Sequence, residues 1–85
     1  MKEFTFTVKD LSGIHARPAG LLVKMATNFK SDITIEFNEK KADAKRIFSV
    51  MGLGAKCGDT LKITLSGEDE NMASESMKSF LDENL

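Results

Sequence analysis

Three segments of the chain alternate apolar and polar residues with a period of two, which is typical of strands with one buried face. They contain Phe4 to Val8, Ile33 to Phe37 and Thr60 to Ser66. Asn38 to Lys40 has the composition of a hairpin turn, and it leads into a short, weakly marked strand at Lys41 to Ala44. The pattern therefore predicts four strands.

The remaining segments space their apolar residues as amphipathic helices do. The first helix is expected from Ala16 to about Lys30, with Pro18 in its first turn, where the missing N–H costs nothing. The second is short, from Arg46 to about Leu53, and the third begins near Gly67 to Asp69. The first helix should bury Ala19, Leu22, Val23, Ala26 and Phe29, and the third should bury Met72, Ala73, Ser76, Met77, Phe80 and Leu81. The order β-α-β-β-α-β-α predicts a two-layer α/β domain, with helices covering one face of the sheet.

The composition and charge of the chain argue against several classes of function. A chain of 85 residues argues for one domain, spanning 1–85. With 12 basic and 13 acidic residues it has no basic footprint for nucleic acid. One cysteine, Cys57, and one histidine cannot form an internal disulfide or a structural zinc site, so we expect no metal and no cofactor. No apolar run is long enough to span a bilayer or to act as a signal peptide, which favours the cytoplasm.

The candidate chemistry lies in Gly13-Ile14-His15-Ala16-Arg17-Pro18-Ala19. His15 falls at the N-cap of the first helix or beside it, where unpaired backbone N–H groups and a partial positive charge attract anions. Arg17 adds a full charge and a planar donor fork suited to phosphate. The site therefore suits a neutral, nucleophilic imidazole that takes up a phosphoryl group. From spacing alone, a surface or capping histidine remains an open alternative.

The segment from Gly13 to Ala19 resembles the active-site signature of the HPr family, the histidine-containing phosphocarriers of the phosphoenolpyruvate-dependent sugar phosphotransferase system. The resemblance extends over the whole chain, including Ile47 to Gly54 and Ser66 to Glu70. It implies an α+β open-faced sandwich whose antiparallel sheet has the order 1-4-2-3, with three helices on one face. It also implies phosphorylation at Nδ1 of His15, with the charge held by Arg17 and by the backbone N–H groups of Ala16 and Arg17. Enzyme I would donate the phosphoryl group and a sugar-specific enzyme IIA would receive it, so the protein would be a stoichiometric carrier and not a turnover enzyme.

The first two helices carry more apolar residues than one buried face requires. A wider buried stripe is one interpretation, whereas the resemblance implies an exposed patch that docks donor and acceptor. The docking residues would be Gly20, Leu21, Lys24, Arg46, Ile47, Phe48 and Met51. Nothing in the sequence argues for a stable oligomer, so we expect a monomer.

Arg46 departs from the family, because many Gram-positive relatives carry a regulatory serine at the matching position. Arginine has no hydroxyl and the wrong charge to imitate phosphoserine, so serine-based regulation is not expected. Ser49 is either an alternative phosphosite or a solvent-facing helix serine, and the sequence favours the second interpretation. Three other functions remain open: a carrier in a regulatory, nitrogen-type branch, a regulatory binding module on the same fold, and a small phosphate hydrolase. The hydrolase would need Asp10 or Ser12 to position water, and nothing in the pattern aims them.

Overall fold

A computed structural model describes residues 1–85 and contains four strands and three helices. In chain order they are β1 (Lys2–Thr7), α1 (Ala16–Ala26), β2 (Asp32–Phe37), β3 (Lys40–Asp43), α2 (Ile47–Met51), β4 (Thr60–Ser66) and α3 (Glu70–Asn84). The strands form one antiparallel sheet in the order β1-β4-β2-β3, and the three helices cover one of its faces. This confirms the expected fold class and strand order.

The buried face of the sheet comes from the alternating residues that the sequence singled out. Ile33 and Ile35 on β2 lie beside Leu65 and Ile63 on β4, and all four are almost fully buried. Their sequence neighbours Thr34, Glu36, Lys62 and Thr64 are at least partly exposed on the other face. A sheet with one apolar face can be covered by a single helical layer, and the core lies between them. The residues that complete the core from the helical side are Ala19, Leu22, Ala26, Val50, Ala73, Met77 and Leu81.

Two details of the helices differ from the sequence-based expectation. Helix α1 ends at Ala26 and not near Lys30, because residues 27–30 turn away through the hydrogen bonds from Asn28 N to Met25 O and from Phe29 N to Ala26 O. Met72, expected in the buried stripe of α3, is 68% exposed. The buried residues of α3 are instead Ala73, Ser74, Met77 and Leu81, so Ser74 belongs to the stripe and Met72 does not.

The hairpin between β2 and β3 is tighter than expected. Phe37 pairs with Lys40, so the loop contains only Asn38 and Glu39. Both have positive φ, 52° and 67°, as a two-residue hairpin turn that matches the strand twist requires. Lys40 is therefore the first residue of β3.

Candidate functional site

The loop of residues 8–15 brings the end of β1 to the start of α1, and it is tied to the fold at several points. The N–H groups of Lys9 and Asp10 both donate to the main-chain oxygen of Leu85, at the end of α3. Farther along, Gly13 N donates to Asp10 O over 2.9 Å and Ile14 N donates to Ala55 O over 3.2 Å. The loop is thus held between α3 and the segment before β4, which defines where His15 lies.

His15 is the N-cap residue of α1, with an extended backbone (φ −103°, ψ 175°) and no side-chain capping bond. The first helical bond runs from Ala19 N to His15 O. Pro18 has no N–H, and the N–H groups of Ala16 and Arg17 have no partner within the chain. These two N–H groups are therefore free to bind an anion beside His15, where the helix also carries a partial positive charge.

The imidazole of His15 is 43% exposed and lies next to a carboxylate. Its Nε2 atom is 3.6 Å from Oδ2 of Asp10, whereas Nδ1 has no partner within the chain. The other carboxylate oxygen of Asp10 accepts the N–H of Ser12 at 2.8 Å. The structure therefore aims Asp10 at the histidine ring, which the sequence pattern did not indicate.

The guanidinium of Arg17 is also available, because none of the ion pairs within the chain involves it. It lies with His15 at a shallow hollow between the start of α1 and the end of α3. The hollow also contains two acidic side chains. Asp10 was named from the sequence only as a group that could position water in the hydrolase alternative, and Glu83, near the far end of the chain, was not named. The hollow is lined by Asp10, His15, Arg17, Pro18, Leu21, Glu83 and Asn84.

The residues expected to dock partners lie on α1 and α2, which pack against each other. Phe48 is 85% exposed, and Leu21, Lys24, Arg46 and Met51 are also exposed. Ile47 is half-buried against the core. Gly20 lies beneath it, since a Cβ there would be 3.7 Å from Ile47 Cδ1. We call Gly20, Leu21, Lys24, Arg46, Ile47, Phe48 and Met51 the α1–α2 surface.

The segment before α2 is closed by its own hydrogen bonds. Ser49 Oγ accepts the N–H of Asp43 at 3.1 Å, and Asp43 Oδ1 accepts the N–H of Lys45 at 2.9 Å. Arg46 is the N-cap residue of α2, and its Nε lies 3.9 Å from the exposed carboxylate of Asp43. An exposed pair at this distance contributes little to stability, so the Arg46 side chain can turn to another partner.

The structure contains no group of three or more His, Cys, Asp or Glu side chains that could hold a metal ion. None of its helices has the length and hydropathy needed to cross a membrane.

Comparisons with known proteins agree on one family. Residues 2–83 match the family described as "PTS HPr component phosphorylation site". A phosphocarrier protein HPr from Lysinibacillus sphaericus is 47% identical over 83 residues, which cover 98% of this chain and 94% of that protein.

Solved structures show the same likeness. HPr-C-His from Thermoanaerobacter tengcongensis aligns with a TM-score of 0.93 at 38% identity, covering 99% of this chain and 94% of that one. A structure described as an HPr dimer from the same organism aligns with a TM-score of 0.77 at 38% identity, and the alignment covers 98% of this chain and 95% of that one.

Proposed function

This chain belongs to the HPr family of the phosphotransferase system and is a phosphocarrier, and we propose that it carries the phosphoryl group on Nδ1 of His15. The observation that carries this proposal is the position of His15 as the N-cap of α1, beside the two unpaired N–H groups of Ala16 and Arg17. A ring nitrogen without a protein partner and an adjacent anion site supply both a nucleophile and a place for the group that it receives.

The transfer follows from this arrangement. The lone pair of Nδ1 attacks phosphorus, the bond from phosphorus to the donor breaks, and its electron pair stays with the donor. The phosphoryl oxygens then accept hydrogen bonds from Ala16 N–H and Arg17 N–H, and the Arg17 guanidinium balances their charge. These donors are in place before transfer, so little reorganisation is needed when the charge arrives.

The exposure of the imidazole supports a carrier and not a turnover enzyme. With 43% of its side chain exposed, His15 lies at an open hollow and not in a closed pocket. A carrier must present the same atom first to its donor and then to its acceptor, whereas hydrolysis is favoured when a group positions water at phosphorus. Asp10 Oδ2 lies near Nε2, the ring nitrogen away from the proposed phosphoryl site.

The α1–α2 surface supplies the docking site in this proposal. Phe48, Met51 and Leu21 form its exposed apolar part, with Lys24 and Arg46 as positive charges at its rim. Apolar contacts with a charged rim suit partners that must associate fast and separate again. Enzyme I would dock here as donor, and sugar-specific enzyme IIA domains would follow as acceptors.

Regulation through a serine at the start of α2 is absent from this proposal, because Arg46 occupies that position. The hydroxyl of Ser49 accepts a backbone N–H from Asp43, whose carboxylate belongs to the same turn. A phosphoryl group on Ser49 would break that bond and add negative charge beside an acidic residue. We therefore propose that the transfer function operates without serine control.

We further propose that residues 1–85 form one HPr domain. In this proposal the domain acts in the cytoplasm as a monomer and needs no cofactor.

Incubation with phosphoenolpyruvate and enzyme I tests the proposal. The wild-type chain should take up one phosphoryl group that is lost in acid and retained in base, and an enzyme IIA domain should remove it. His15→Ala should take up none, while Arg17→Ala should react about 10²-fold more slowly, as expected on losing a charge-stabilising donor. Thermal unfolding of His15→Ala checks that it remains folded. Failure of the wild-type chain to be phosphorylated, or labelling of His15→Ala, would contradict the assignment.

A further inference from the structure

Asp10 is fixed in the loop before α1 by three hydrogen bonds within the chain. Its N–H donates to the main-chain oxygen of Leu85 over 2.8 Å, and its carbonyl accepts the N–H of Gly13 over 2.9 Å. Its Oδ1 accepts the N–H of Ser12 at 2.8 Å. Backbone and carboxylate are therefore both fixed, and the one oxygen without an N–H partner, Oδ2, lies 3.6 Å from His15 Nε2.

The carboxylate distinguishes the two ring nitrogens of His15. The 3.6 Å separation is too long for a hydrogen bond, but the negative charge of an ionised carboxylate attracts a proton on Nε2 and therefore favours the tautomer in which Nε2 carries it. That tautomer leaves the lone pair on Nδ1. The nitrogen at which the ring reacts is thus set by its neighbour on the other side, as in other sites where a carboxylate orients an imidazole.

The same carboxylate matters after transfer. When Nδ1 forms its bond to phosphorus while Nε2 keeps its proton, the ring carries a positive charge. Asp10 Oδ2 is the nearest carboxylate oxygen and balances that charge. The other charged groups of the hollow are Arg17 on α1, which has the wrong sign, and Glu83 on α3, which makes no ion pair with His15.

We infer that Asp10 is the positioning residue of the carrier site: its carboxylate selects the Nε2–H tautomer of His15 and stabilises the protonated ring of the phosphorylated form. This inference rests on the proposed function, because it concerns the same histidine. Its consequence is a carrier whose transfer and hydrolysis rates depend on pH through the Asp10–His15 contact.

The test compares Asp10→Asn with Glu83→Gln. Asp10→Asn keeps an oxygen that can accept the Ser12 N–H, but it places an NH₂ group opposite Nε2 and removes the charge. Glu83→Gln removes the same charge from the same hollow without touching the ring. Nitrogen-15 NMR of the free protein measures the tautomer of His15 without any partner enzyme, and the hydrolysis of the phosphorylated form is followed as a function of pH.

Asp10→Asn should shift the neutral ring toward the Nδ1–H tautomer and slow phosphorylation by enzyme I about five- to tenfold. The pH above which the phosphorylated form becomes stable should fall by about 0.5–1 pH unit, from the loss of one charge near 4 Å in a solvated site. Glu83→Gln should leave the tautomer ratio and the phosphorylation rate within about twofold of the wild-type values, and the pH above which the phosphorylated form is stable within about 0.2 pH unit. Asp10→Glu, which restores the carboxylate, should recover most of the Nε2–H population.

An unchanged tautomer and pH profile in Asp10→Asn, with a wild-type chain that is phosphorylated normally, would overturn the role of Asp10 and leave the proposed function intact. The same holds if Glu83→Gln reproduces the effects of Asp10→Asn, since the cause would then be net charge and not the contact. A wild-type chain that takes up no phosphoryl group would instead contradict the proposed function.

Discussion

The main chain at Gly13 has a φ of +67° and passes close to the segment before β4. A Cβ at this position would lie 2.7 Å from the carbonyl oxygen of Ala55 and 3.0 Å from Cα of Lys56. Both neighbours are backbone atoms and cannot rotate away. Glycine is therefore needed at position 13 for two reasons, the positive φ and the close approach to the backbone, and this position lies two residues before His15.

Gly13→Ala should lower both stability and phosphorylation. A positive φ costs a residue with a side chain about 1–2 kcal/mol, and the clash adds about 1–3 kcal/mol. Relief of the clash would move the loop away from Ala55 and displace His15 from the N-cap, so phosphorylation by enzyme I should be slower at temperatures where the variant is folded. Thermal unfolding and initial rates measure the two effects.

Gly54→Ala is the matched control for the stability effect. Gly54 has nearly the same φ, +69°, but no atom lies within 4 Å of its ideal Cβ. Gly54→Ala should lower the free energy of unfolding only by the cost of the positive φ, about 1–2 kcal/mol. Equal losses in the two variants would show that the contact with Ala55 and Lys56 does not matter.

For single residues of the site, features set by neighbours in the sequence were predictable, whereas features set by contacts with residues far away in the chain were not. The N-cap position of His15 follows from Pro18 and the helical spacing after it, and the structure confirms it. The aim of Asp10 depends on a turn closed by Ser12 and on a hydrogen bond to Leu85, at the other end of the chain. No pattern within a short window could indicate that contact.

Helices α1 and α2 present the side chains that would meet a partner. An exposed aromatic residue at the centre of an interface commonly contributes much of its binding energy. Phe48→Ala should therefore raise KM for enzyme I about tenfold, with little change in kcat, because the ring does not touch His15 in the proposed mechanism.

Arg46→Ser should instead lower the rate at which the protein associates with enzyme I and weaken the dependence of that rate on salt, as expected of a charge at the rim of an interface.

Met72→Ala is the control for Phe48→Ala. Met72 is also a large exposed apolar residue, 68% exposed, but it lies in the first turn of α3. The site hollow touches that helix at Glu83, about 16 Å farther along its axis. The KM should not change in Met72→Ala. An equal rise of KM in both variants would indicate non-specific hydrophobic association and would argue against docking at the α1–α2 surface.

The elements themselves were predicted well wherever the pattern was strictly periodic. Thr60–Ser66 is a strand over the expected residues, because its alternation is unbroken. Lys40–Asp43 begins one residue before the expectation, since a two-residue turn was not distinguishable from a longer one. The end of α1 was wrong because apolar spacing continues to Phe29, whereas the chain must turn after Ala26 to begin β2 at Asp32.

For the molecule as a whole, the pattern predicted two layers, but the strand order came only from the family resemblance. Pairing β1 with β4 joins the first strand to the last, and alternation within a strand says nothing about its partner. The connection between the loop before β2 and the start of α3 could not be predicted from the pattern either. Asp69 is the N-cap residue of α3 but makes no side-chain capping bond, and its carboxylate instead accepts the N–H groups of Lys30 and Ser31.

This connection makes the stability of the fold depend on pH. The Ser31 hydroxyl and the N–H groups of Lys30 and Ser31 donate to the Asp69 carboxylate and lower its pKa from 3.8 to about 2. A carboxyl group with a lower pKa in the folded state stabilises the fold fully above its unfolded pKa. That contribution is lost as the pH falls through 3.8 toward 2, because protonation removes an acceptor from residues that remain in place.

Asp69→Asn should therefore lower Tm by a few degrees at pH 7 and flatten the dependence of Tm on pH between about 4 and 2. An amide oxygen in the position of Oδ1 can keep both donors of Ser31, but the NH₂ group then faces the Lys30 N–H and cannot accept from it. Asp32→Asn is the matched control, since Asp32 is an exposed neighbour whose carboxylate makes no hydrogen bond or ion pair within the chain. It should retain the wild-type Tm and the wild-type acid transition. If Asp69→Asn kept the full loss of stability between pH 4 and pH 2, the connection from Asp69 to Lys30 and Ser31 would not be its source.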